Sequence, residues 1–116
     1  MVKFMKGIPK TSEISRAHLI LAANGALLCS VHPNMREIAV EYDKENKKII
    51  IFVYFDNNPT DSQVDDVGSI STEMSCQFPE EIIWEENIVV LPYPSRIPNK
   101  GICVYRRYEP SPDIED

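Results

Sequence analysis

Ile49-Ile50-Ile51-Phe52-Val53-Tyr54-Phe55 is an unbroken run of seven apolar residues. A strand with one wet face alternates apolar and polar residues; this one does not alternate, so both its faces must be covered. It reads as the central strand of a sheet. On its N-terminal side Asp43-Lys44-Glu45-Asn46-Lys47 is a polar hairpin loop. Before that loop, Ile38, Val40 and Tyr42 alternate with Glu37, Ala39 and Glu41, which predicts a strand over 36–42.

Past the central run, Asp56-Asn57-Asn58-Pro59 is a turn. Thr60-Asp61-Ser62-Gln63 fits a capping box, with Thr60 as cap and Gln63 reaching back. Val64 and Val67 then give a short helix its buried side, and Gly68 is placed to stop it. From Ile70 to Phe78 apolar and polar residues alternate with Ser and Thr among them, which favours a strand. Val67, Ile70 and Met74 fit a continuing helix as well. Ile88–Leu91 predicts a further strand, Pro92, Pro94 and Pro98 an ordered extended loop, and Gly101–Tyr108 the last strand.

Toward the N-terminus, Thr11 or Ser12 can cap a helix with Glu13 in its first turn. Ile14, Ala17, His18, Leu21, Gly25 and Leu28 fall on one face of that helix. Leu19, Ile20 and Leu27 lie off that face, so the helix is apolar nearly all round and should be deeply packed. The expected fold is α+β: an antiparallel sheet of four to five strands with two helices packed mainly on one face. The expected organisation is a basic arm over 1–10, a single domain over 11–109 and a frayed tail over 110–116. A chain of 116 residues suits one core.

Charge is unevenly placed. Between Ile49 and Ser95 there are nine carboxylates (Asp56, Asp61, Asp65, Asp66, Glu73, Glu80, Glu81, Glu85 and Glu86) and no Lys or Arg. The first 48 residues carry eight basic and five acidic side chains, and the last 21 carry four of each, so the middle supplies the net charge of −6. Such a field repels nucleic acid and anionic membrane and attracts a basic partner. Trp84, inside Glu80-Glu81-Ile82-Ile83-Trp84-Glu85-Glu86, suits either an interface anchor with a charged rim or a cap on the core edge.

Nothing marks catalysis. His18 and His32 are the two possible imidazole bases for Cys29, Cys76 and Cys103, and no nucleophile motif surrounds any of them. The three cysteines read as small core residues in a reducing compartment. Cys29-Ser30-Val31-His32 has the spacing of half a zinc site, and the other half is missing. Four scattered glycines make no phosphate loop. The apolar run Ala17–Cys29 is too short to span a bilayer and is interrupted by His18 and Asn24, which points to the cytoplasm rather than to export. No cofactor, metal or direct nucleic-acid contact is expected.

Four segments carry a resemblance: RAHLILAANGALLCSV (Arg16–Val31), IIIFVYFDNNPT (Ile49–Thr60), VVLPYPSRIP (Val89–Pro98) and GICVYRRYEP (Gly101–Pro110). Together they resemble small bacterial immunity proteins, which pair with the C-terminal toxin domains of contact-dependent growth inhibition and related polymorphic toxin systems. The resemblance implies a cytoplasmic, non-enzymatic inhibitor that blocks one cognate toxin, and many such toxins are nucleases with basic clefts. No binding residue carries over by motif. From charge alone, the expected partner-binding residues are Asp56, Asp61, Asp65, Asp66, Glu73, Glu85 and Glu86, with Trp84 as apolar anchor. The alternative is a non-catalytic assembly module that uses the Pro-rich loop Leu91–Pro98 or an exposed sheet edge.

Overall fold

A computed structural model describes residues 8–110. The basic arm expected over 1–10 lies mostly outside them, and the tail expected from 110 almost wholly. A short 3-10 turn, Thr11–Glu13, precedes α1 (Arg16–Ala26), β1 (Met35–Asp43), β2 (Lys48–Phe55), α2 (Asp61–Ser75), β3 (Ile83–Val90) and β4 (Ile102–Arg106). The sheet order is β3-β2-β1-β4, so the run that opened the sequence reading is a central strand. β1 pairs antiparallel with β2 through the predicted hairpin, with Val40 opposite Ile51, and antiparallel with β4. β3 runs parallel to β2, with Glu85 opposite Ile50. The sheet is therefore mixed, not antiparallel throughout.

That correction follows from a second one. Gly68 does not stop α2, and residues 69–75 are helix rather than strand. Val67, Ile70, Ser71 and Met74 are buried along it, a spacing of three and four that wins over the period of two. A helix of 15 residues is about 22 Å long at 1.5 Å per residue, enough to return the chain to the start of β2. The next strand must then run parallel to β2, as in any strand–helix–strand crossover. The predicted capping box at the start of α2 is present: the Thr60 hydroxyl accepts from the Gln63 amide at 3.1 Å, and the Gln63 side chain accepts from the Thr60 amide at 3.0 Å.

α1 begins later than expected, with Ser15 as its cap. It turns a different face inward: Leu19, Ala23 and Ala26 are buried, while Leu21 is 69 % and Leu28 73 % exposed. A helix apolar on every side gives no contrast from which to read its inner face. Packing settles it, because Ala23 and Ala26 are small enough for close approach.

One buried cluster holds those α1 residues, Val67, Ile70 and Met74 of α2, Ile38 and Val40 of β1, and Ile49, Ile51, Val53 and Phe55 of β2. The alternate residues Ala39, Phe52 and Tyr54 form a second cluster, covered by Leu91 and Ile97 of the Pro-rich loop. The two sides of the sheet are thus a helix side and a loop side. The loop enters β4 through Gly101, whose φ is +70° and where a Cβ would stand 2.8 Å from the Val40 carbonyl oxygen. Only glycine meets both conditions without strain.

Candidate functional site

Burying Val67, Ile70 and Met74 turns Asp61, Asp65, Ser69, Thr72 and Glu73 outward from α2. Strand alternation puts Trp84 and Glu86 of β3 on the same side of the sheet, toward α2. The Glu86 carboxylate rests against the Ser71 hydroxyl and lies 4.0 Å from where a Cβ on Gly68 would be. Gly68 thus marks the place where β3 comes close to the helix. Asp65, Gly68, Ser69, Thr72, Glu73 and Glu86 line an open groove of about 680 Å³. Its floor is small and hydroxyl-bearing and its rim is carboxylate. Among the described residues, no Lys or Arg pairs with Asp61, Asp65, Glu73 or Glu86.

The other expected contact residues lie elsewhere or are already engaged. Glu85 points away from α2 and pairs with Lys48 at 3.0 Å. Asp66 stands 2.5 Å from His32 Nε2 and ties the segment after α1 to α2. Trp84 is half-buried, edge-on to Phe78 with ring centroids 5.5 Å apart, so its indole caps the core edge. Asp56 is on the far side of this arrangement, in a network that sequence reasoning missed. Its Oδ2 accepts from Arg107 at 2.8 Å and its Oδ1 from the Tyr93 amide at 2.8 Å. Arg107 also reaches Glu109, and Glu109 takes two bonds from Arg36, at 2.7 and 2.9 Å. The remaining Arg36 nitrogen donates to the Leu91 carbonyl at 2.6 Å.

Arg36 is 3 % exposed, so its guanidinium depends on these bonds in place of the water it loses. The network acts on its members. Hydrogen bonding from Arg107, then from the Tyr93 amide, holds the Asp56 carboxyl below the usual range. Arg36 does the same to Glu109. Arg36 is raised by Glu109 and Arg107 by Asp56. The only sequence signal for this network was two arginines, Arg36 and Arg107, adjoining apolar strands, where a charged side chain needs a partner.

The residues weighed for catalysis and metal are also placed. Cys29, Cys76 and Cys103 are exposed thiols, not core residues. Cys29 sits in a turn at φ 67°, Cys76 caps the end of α2, and Cys103 is on an edge strand. The His18 ring caps α1 through Ser15, its Nδ1 accepting from the Ser15 amide at 2.9 Å. Among the described residues, no three His, Cys, Asp or Glu side chains group as metal ligands, and no helix is long and apolar enough to cross a membrane.

Residues 16–109 match the MafI2 immunity protein family, over both helices and all four strands. The chain belongs to that family. No match is found among curated proteins. Membership in the MafI2 family agrees with the resemblance carried by the four sequence segments, and it implies a toxin as partner. In this member of the MafI2 family, the groove of α2 and β3 gathers Asp65, Glu73 and Glu86, none of them paired with a Lys or Arg among the described residues.

Proposed function

We propose that this chain neutralises its cognate toxin by laying the acidic surface of α2 and β3 over a positively charged active site, that of a nuclease. The observation that carries the reading is the contrast in pairing. Asp56, Asp66, Glu85 and Glu109 have partners within the fold, while Asp61, Asp65, Glu73 and Glu86 share one side with no cation among the described residues. Like charges held together cost stability unless something outside uses them. Carboxylates at a groove rim offer a nuclease cleft the charge of the phosphates it normally takes. Trp84, beside Glu86 on the strand, adds an apolar edge to that surface. The encounter belongs in the cytoplasm of the cell that makes the antidote, where the toxin finds its substrate.

Reversal of Asp65, Glu73 and Glu86 to Lys tests the reading against the toxin domain encoded in the same locus, inactivated for handling. The triple variant should fold normally and bind at least about 100-fold more weakly, a loss of about 2.7 kcal/mol. It should also fail to protect DNA or RNA from the active toxin. Unchanged affinity and protection would overturn the proposal.

A further inference from the structure

α1 leaves a second surface unexplained. Ala17, Leu21 and Gly25 are exposed at a spacing that lines them along the outer side of the helix, and Leu28, just past its end, is exposed as well. Beside them, His18, Leu21, Ala22, Gly25, Glu73 and Gln77 line most of a cleft of about 460 Å³ between α1 and α2. A Cβ on Gly25 would meet no heavy atom within 4 Å, so the cleft is open above that residue. Exposed apolar side chains gathered beside an open cleft are the mark of an interaction surface.

Charge decides what covers it. Glu73 lines this cleft and also the acidic groove of α2 and β3, so the two adjoin at that residue. A second copy seated on the same face about a two-fold axis would bring its own Glu73 against this Glu73. A basic partner suffers no such penalty.

Resting on the toxin-binding reading above, we infer that the α1–α2 cleft receives an apolar side chain of the toxin, flanked by the Lys or Arg that meets Glu73. The apolar side chain seats over Gly25 against Leu21, and the acidic groove holds the neighbouring basic residues. The cleft supplies the buried anchor and the groove its charged surroundings, the usual division of labour in a tight interface.

Gly25→Trp fills the cleft from within and Leu21→Glu places a charge on its wall. Both positions are exposed, so both variants should stay folded, with an unfolding midpoint no lower than that of the wild type. Affinity is measured by calorimetry with the inactivated toxin domain from the same locus, and oligomeric state by sedimentation. Each variant should weaken binding tenfold or more. A smaller loss in both, with binding still abolished by charge reversal in the acidic groove, would overturn the cleft proposal and leave the toxin reading standing. A wild-type dimer that Gly25→Trp dissociates without affecting toxin binding would overturn it in favour of self-association. No complex with the wild-type chain would overturn both.

Discussion

On the loop side of the sheet Asp56, Glu85 and Glu109 are answered by Lys or Arg; on the helix side Asp61, Asp65, Glu73 and Glu86 meet no such cation among the described residues. Asp56 and Glu86 come from the same basic-free stretch of sequence, yet Asp56 is clamped between Arg107 and the Tyr93 amide, while among the described residues Glu86 is bonded by the hydroxyl of Ser71 and by no cation. Two glycines repeat the contrast. Gly101 is pressed against the Val40 carbonyl at positive φ, and Gly25 faces open space. A side that uses its ions and its close contacts for holding the chain has little left for a partner. A side with unanswered charge and an open cleft has stability cost without internal return. The comparison separates carboxylates that build the fold from carboxylates that await something outside it.

The largest effect belongs to the loop side. Arg36→Met leaves Glu109 without its main partner in a nearly closed site, and breaking such a pair should cost about 3 kcal/mol in urea unfolding. If the loss stays below about 1 kcal/mol, the network is ornament and the contrast fails. Gly101→Ala comes next, at about 2 kcal/mol, from a strained φ and a forced shift of β1. Acid should act on the same network. Asp56 and Glu109 have folded-state pKa values below the ordinary carboxylate value near 4, so the unfolded chain binds more protons as pH falls. Their stabilisation is complete above that value and is lost as pH drops through the depressed values. Unfolding midpoints measured from pH 6 to pH 2 should show this loss, and Asp56→Asn should flatten it.

The helix side should respond weakly or in the opposite sense. Gly25→Ala should raise stability by up to about 1 kcal/mol through helix propensity, since the added methyl meets nothing. Asp65→Asn should change stability by less than about 0.5 kcal/mol, as an exposed residue without an internal partner does. Thermal unfolding of the two variants checks both.

β1, β2, β4, the central place of β2 and the capping box at Thr60 could be read from residue patterns, because alternation, burial on both faces and reciprocal capping leave local signatures; β3 could be read only from Ile88, although it begins at Ile83, because Glu85, Glu86 and Asn87 break the apolar pattern. The length of α2 could not. Residues 69–75 carry two periods at once, and only the sheet against which Ile70 and Met74 pack decides between them. With α2 cut short at Gly68, the parallel pairing of β3 was out of reach. The exposed side of α1 was hidden because apolar residues surround the whole helix. Of the candidate contact residues, Asp61, Asp65, Glu73 and Glu86 gather on one side with Trp84 at its edge. Asp56 and Glu85 separate from them because their partners, Arg107 and Lys48, are distant in sequence and invisible in a local count of charge.

The central claim is that the unanswered carboxylates of α2 and β3 are what the toxin meets. The most direct measurement is the association rate with the inactivated toxin domain over a series of salt concentrations, for the wild-type chain and for Asp65→Asn/Glu73→Gln/Glu86→Gln. The account predicts a rate that falls steeply with salt for the wild type and a markedly flatter dependence for the variant. Equal slopes and equal rates for the two proteins would contradict it.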